Sequence, residues 1–388
     1  MNPFKFGDPV EGEYYLPRPN LDKLVYQFLA NRIHVVLIGP RRLGKTSFVF
    51  NLLKKLEKEG YACPFVDIFN ITSHRDFLQQ MLRALKAKKN WADAAKTWLA
   101  NWRPKISADV DPVSGQTSFG LSIDRGSDKD VKDMIQDVLA GLKNLGEKVI
   151  LVIDEFQKIT ELDDHGWLEA TLRTHMQQLR NTSFLFTGSR KSIISDMLNN
   201  SSRPLYRSCQ SIDFPSFGEE LVDWVIKRFA EVEIDIDRAA VCYLKQIVQD
   251  TSNYVQMVSF HLVAAGYKKI GIQEVQEVLK NVIKQNAYAY QTLLNSLPAL
   301  QQRVLRLAAK ENKQIFAKDL LNKYEIRSAP ALSSSIKALK NKGILDEEGK
   351  GRGTVIFDDP LFAIWLKESC DTWYDGDTLN EEQELVIK

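Results

Sequence analysis

The sequence predicts an α/β fold: a mostly parallel five-stranded sheet covered by helices, then a helical lid segment and a C-terminal winged helix. Three observations carry this expectation. Short β-branched or aliphatic runs alternate with segments of helical periodicity through residue 217. From about Gly218 to Tyr290 the pattern is helical throughout, with no strand-like run. Leu297–Phe357 then reads helix, helix, helix, strand, turn, strand, the order of a winged helix.

Taken in order, Ile33–Ile38 (IHVVLI) ends at a glycine and reads as a buried strand. Thr46–Glu59 has apolar residues at helical spacing and stops at Gly60. Ala62–Ile68 is a second strand, and Thr72–Lys88 a helix that Thr72 or Ser73 can cap. Asp128–Leu145 is another helix. Val149–Ile153 is wholly aliphatic and forms a third strand; Ser183–Thr187 and Ser211–Phe214 are the fourth and fifth. Strands separated by helices favour parallel pairing with both faces covered. Trp91–Asp124 breaks the alternation. Its second half alternates polar and apolar residues around Pro112–Gly115, an inserted hairpin, while Trp91, Trp98 and Trp102 share one helical stripe suited to core packing or to a partner surface. The expected domains are 1–217, 218–292 and 293–370, followed by an acidic tail at 371–388.

Bulk composition narrows the function. A formal net charge of +2 provides no global polycation for nucleic acid or a membrane surface, so any such role needs a local patch. No apolar run approaches the roughly 18 residues that span a bilayer, and the acidic, aromatic N-terminus lacks a signal-peptide stretch. The 4 cysteines are far apart with no CxxC spacing, which argues against a metal or disulfide framework and fits a reducing cytoplasm.

Gly39-Pro40-Arg41-Arg42-Leu43-Gly44-Lys45-Thr46 fits GxxxxGK[ST] at every fixed position, between a strand and a helix. A phosphate chain needs many donors at contact distance. Glycines let backbone N–H groups turn inward, Lys45 reaches the β- and γ-phosphates, and the Thr46 hydroxyl ligates Mg²⁺. The helix beginning near Gly44 adds its positive end. The expected ligand is a nucleoside triphosphate, ATP with Mg²⁺. Arg41 and Arg42 face either phosphate or solvent. Val149–Ile153 ends in Asp154 and Glu155, at the carboxyl end of a strand, where ligands bind in open α/β sheets. Asp154 suits the Mg²⁺ hydration shell, and Glu155 suits orienting the attacking water.

With these two motifs the chain resembles the AAA+/STAND-like P-loop ATPases, close to the archaeal and bacterial ATPases with a C-terminal winged helix. GPRRLGKTS, which includes Ser47, is similar to Walker A, and VILVIDEF to an extended Walker B. FLFTGSRKS resembles the fourth strand with its polar sensor, which implies Ser189 or Thr187 near the γ-phosphate. RPLYRS resembles the stretch leading into the fifth strand, and DPLFAIWL the end of the C-terminal domain. YYLPRPNLDKL is similar to the family's lead-in segment, implying Arg18 beside the nucleotide. The resemblance also implies a sheet in which the fourth strand lies between the first and third. The chain departs from the family at Thr251–Gln256, which lacks the usual lid proline, and at Leu21, where glutamate is frequent.

Arg190, Arg203 and Arg207 are candidates either for an arginine finger or for structural ion pairs; a finger acting in trans would require a nucleotide-dependent homo-oligomer. In Leu297–Glu368, 13 basic and 9 acidic residues give a net +4. The expected recognition helix, Pro330–Lys342, presents Ser333, Ser334, Ser335 and Lys337, with Lys350 and Arg352 on the wing. Such a module docks DNA or protein, or packs as a lid. The sequence thus reads as an ATPase that couples nucleotide state to its lid and winged helix. The alternatives are a slow nucleotide-gated signalling or defence switch and a DNA-binding regulator with a vestigial ATP site.

Overall fold

The computed structural model describes residues 1–88, 109–110, 117–118, 127–162, 165–311, 314–346 and 355–374. The chain divides into two compact units, Gly7–Ser216 and Phe217–Lys388 together with Met1–Phe6.

In the first unit, α1 (Pro19–Ala30) leads into β1 (Val35–Ile38), followed by α2 (Lys45–Lys58), β2 (Phe65–Asp67) and α3 (His74–Lys86). Ser73 rather than Thr72 caps α3, its hydroxyl accepting from the Asp76 amide. Strands β3 (Asp109–Val110) and β4 (Thr117–Ser118) pair antiparallel within the interrupting segment. Then come α4 (Asp128–Gly141), β5 (Val149–Asp154), α5 (Trp167–Gln178), β6 (Thr182–Gly188), α6 (Lys191–Asn199) and β7 (Gln210–Asp213). A reciprocal capping box between Ser127 and Asp130 starts α4.

The five-stranded sheet has the order β2-β5-β6-β1-β7, and every pairing in it is parallel. The fourth of these strands, β6, does lie between the first and the third. Every residue of β1, β5 and β6 is buried, as a sheet covered on both faces requires. The strands feed two cores with period 2. Val36, Ile38, Leu151 and Ile153 face one; Val35, Leu37, Ile150 and Val152 face the other. Each such side chain contributes about 1.5–3 kcal/mol on burial, so a one-residue slip in register would exchange two filled cores.

Beside β1, the His34 Nδ1 accepts from the Phe184 amide at 3.2 Å, and its ring meets Phe184 edge-on. Burial holds the imidazole below its ordinary pKa of 6.5, opposed by a backbone contact with Met176. Below that pH the unfolded chain takes up a proton that the folded protein resists. Stability is therefore greatest above about pH 6.5 and falls as the pH drops towards the folded-state value. Thermal unfolding at stepped pH should show a slope in that window that His34→Asn removes.

The second unit contains α7 (Glu219–Ala230), β8 (Asp235–Ile236), α8 (Arg238–Ile247), α9 (Ser252–Ala264), β9 (Lys269–Ile270) and α10 (Ile272–Asn295). Strands β8 and β9 pair in parallel, which corrects the expectation of an all-helical stretch. Each has two residues, with only Ile236 and Ile270 buried, too few to display alternation. The winged helix follows: α11 (Ala299–Glu311), α12 (Lys318–Lys323), α13 (Ala329–Asn341), then β10 (Leu345–Asp346) antiparallel to β11 (Ile356–Phe357), and α14 (Pro360–Tyr374). On α13, Ser333, Ser334 and Lys337 are exposed. Ser335 is buried beside Leu332 and Leu339, a correction to its expected exposure: it falls on the inward face of the helix. Trp91, Trp98, Trp102, the wing residues Lys350 and Arg352, and the tail from 375 onward lie outside the described residues.

Met1–Phe6 packs within this unit. The Phe4 ring meets Trp224 and Phe229, and the Arg228 guanidinium donates to the Pro3 carbonyl at 3.0 and 2.8 Å.

Candidate functional site

At the end of β1 the chain enters the Gly39–Thr46 loop. The Gly39 amide donates to the Gly188 carbonyl at 3.2 Å, and the Phe214 amide to the Ile38 carbonyl at 2.6 Å. A Cβ at residue 39 would stand 2.9 Å from the Phe214 Cβ and 3.1 Å from its carbonyl oxygen, so the chain beyond β7 requires glycine here. Gly44 is required for a different reason: at φ +92° it sits in the left-handed region as the N-cap of α2. Arg42 also has positive φ, at 62°.

Pro40 and Leu43 belong to this loop, and Leu43 is buried. The Lys45 ammonium is buried and donates to the Gly39 and Pro40 carbonyls, at 2.7 Å each. It thus lies along the inside of its own loop. Arg41 places its guanidinium 5.4 Å from the Phe69 ring, while Arg42 is exposed. The Arg18 guanidinium is buried 4.4 Å from the centre of the Phe214 ring. It donates to the Pro215 carbonyl at 2.7 Å and the Leu43 carbonyl at 3.4 Å, bracing the loop. The Ser47 hydroxyl accepts from the Val10 amide at 3.0 Å, and Asn51 donates to the Val10 carbonyl. The Ser47 side chain is therefore engaged with the N-terminal segment.

Three elements meet at Asp154, the last residue of β5. Thr46, in the first turn of α2, donates its hydroxyl to Oδ2 at 3.0 Å. Oδ1 accepts from the Thr187 hydroxyl of β6 and from the Glu155 amide. Glu155 leaves the strand at φ 56°, ψ 42°, a left-handed conformation that costs a non-glycine residue on the order of 1–3 kcal/mol. That turn brings its carboxylate to Ser189, just after β6, whose hydroxyl donates to Oε2 at 3.1 Å. Gln157 Nε2 donates to the same oxygen. Lys45, Thr46, Asp154, Glu155 and Ser189 thus lie at the carboxyl ends of β1, β5 and β6. Gln157 is the member that sequence reasoning missed; as a polar residue in a short 3-10 turn it carries no motif signal.

Arg203 forms an ion pair with the buried Glu169 and lies 3.6 Å from Asp196. Arg190 lies 3.9 Å from Glu161. Arg207, at φ 51°, is exposed and stands over the Tyr206 ring at 5.1 Å. Among the described residues, no group of three or more His, Cys, Asp or Glu could hold a metal ion, and no helix is long and apolar enough to cross a membrane.

Comparisons with known proteins bear on the family and the fold. An ATPase domain family predominantly from Archaea matches residues 25–234, more than half the chain. The chain belongs to this ATPase family. A probable winged helix domain matches residues 288–368. An uncharacterized ATP-binding protein of Methanocaldococcus jannaschii is 22% identical over 156 residues, which cover 37% of this chain and 42% of that protein. The matched part of the chain therefore spans less than half the length of that relative. Among solved structures, a Walker-type ATPase of Pyrococcus abyssi is similar with a TM-score of 0.65 at 17% identity, over 91% of this chain and 96% of its own. The Aeropyrum pernix ORC1 protein, solved in complex with DNA, has a TM-score of 0.51 at 15% identity, over 92% and 94% of the two chains. These likenesses concern the fold.

Proposed function

We propose that the chain hydrolyses ATP with Mg²⁺, and that nucleotide state sets the arrangement of the lid and winged helix. One observation carries the reading: a Lys-Thr pair at the start of α2 converges with an Asp-Glu pair at the end of β5, joined by the Thr46–Asp154 hydrogen bond. The residues fit the ligand. The Lys45 ammonium already satisfies two oxygen acceptors along the loop, and phosphate oxygens present the same chemistry with greater charge. A hydroxyl beside a single carboxylate suits Mg²⁺, which binds through one or two carboxylates plus phosphates and water.

In this reading the loop amides and Lys45 bind the triphosphate, and Thr46 and Asp154 hold the metal. Glu155 orients the attacking water and accepts its proton, while Ser189 fixes the carboxylate. Mg²⁺, when bound, neutralises charge on the β- and γ-phosphates. Arg18 steadies the loop through the Leu43 carbonyl. The test is steady-state release of phosphate from ATP, with Mg²⁺ and with the metal chelated. Metal-dependent turnover supports the proposal; tight ATP binding without turnover would replace it with a binding-gated switch.

Duplex DNA is the partner we propose for the winged helix. The exposed Ser333, Ser334 and Lys337 of α13 support this reading, as does the DNA complex of the Aeropyrum pernix protein. Affinity should fall steeply with salt if phosphate contacts hold the complex. A titration showing no binding at low salt would favour a protein partner instead.

A further inference from the structure

We propose that Gln157 is a positioning residue for hydrolysis, clamping the Glu155 carboxylate by one oxygen and leaving the other for water. This inference rests on the hydrolase reading and extends it to a residue outside the two motifs.

The Gln157 side chain is almost completely buried. Its Nε2 donates to Glu155 Oε2 and lies 3.3 Å from the Ser189 hydroxyl oxygen. Ser189 donates to that same Oε2. Both donors therefore fall on one oxygen of Glu155, and among the described residues none falls on Oε1. A carboxylate held this way cannot rotate without breaking two hydrogen bonds. Its open oxygen keeps the direction needed to accept a proton from water.

The placement carries a penalty that a space-filling residue would avoid. Gln157 Oε1 is buried with no hydrogen-bond partner, which is unfavourable relative to a satisfied acceptor. Room for it depends on Gly188 at the end of β6, where a Cβ would stand 2.5 Å from Oε1. An apolar side chain of the same length would fill this space without that penalty. What only the amide supplies is the donor to Glu155. Unsatisfied buried polar atoms are uncommon enough in folded proteins to require such a reason.

Gln157→Met keeps the length and most of the volume but removes the donor. Expected is a fall in kcat of about ten- to a hundredfold, as for a small misplacement of a reacting group, with ATP affinity unchanged and no loss of thermal stability. In a Glu155→Gln background the same substitution should lower kcat no further, because a clamp acts only through the group it holds. In the nucleotide-free protein, the Gln157 side-chain amide protons, identified by their loss in Q157M, should be protected from exchange. They should lose that protection in Glu155→Ala. Wild-type kcat in Q157M, or an equal loss in both backgrounds, overturns the assignment of Gln157 and leaves the hydrolase reading standing. A wild-type protein that binds ATP without turnover overturns the hydrolase reading and the clamp with it.

Discussion

Glu155→Gln is expected to leave ATP binding intact and to lower turnover by about a hundred- to ten-thousandfold, the range a positioned general base supplies. The substitution is conservative in every respect except charge. Glutamine has the same length, and its carbonyl oxygen can still accept from the Ser189 hydroxyl and the Gln157 amide. The backbone turn at φ 56° is the same for either residue. Asp154 keeps Thr46, Thr187 and the amide of residue 155. A carboxylate that can take a proton from water is thus the single thing removed. The measurement is phosphate release at saturating ATP beside equilibrium binding of ATP. A variant hydrolysing at the wild-type rate would show that this carboxylate is not the base.

Much of this arrangement was legible in the sequence because motif and strand coincide. In β1 and β5 nearly every position is aliphatic, which is what burial on both faces demands, and each run ends directly at a polar motif. Strand order was not contained in those runs. Five apolar segments can be arranged in many orders, and the place of β6 between β1 and β5 came from the family resemblance alone. The glycines were legible as a group but not one by one. Gly44 answers to backbone conformation, whereas Gly39 answers to the approach of Phe214, about 175 residues along the chain.

Pairings between distant segments stayed hidden for the same reason. Arg203 is one of three similar arginines in the sequence, and only the position of Glu169 on α5 commits it to an ion pair. Gln157 reads as a solvated residue in a turn until Gly188 is seen to leave room for it. Local pattern reports the burial of a whole strand; it does not report which single side chains a tertiary contact will engage.

Lys45→Ala should weaken ATP binding about a hundredfold while leaving the fold intact. Buried in the loop, the Lys45 ammonium donates to the Gly39 and Pro40 carbonyls at 2.7 Å each. These bonds stay within six residues of chain, so they hold no distant elements together, and their loss has little effect on global unfolding. Towards a triphosphate the balance differs. A hydrogen bond to a charged group is worth about 1.5–3 kcal/mol, and about 2.8 kcal/mol corresponds to the hundredfold loss. Arginine should not rescue the site, because its planar fork cannot replace a compact ammonium inside a tight loop. The clearest readout is the rise in unfolding temperature on adding ATP, which follows from binding to the folded state alone. Wild-type protein should show it, and Lys45→Ala should show a much smaller rise at the same ATP concentration. An undiminished rise in the variant would mean that the triphosphate is gripped elsewhere, and the convergence of Lys45 with Asp154 and Glu155 would lose its chemical meaning.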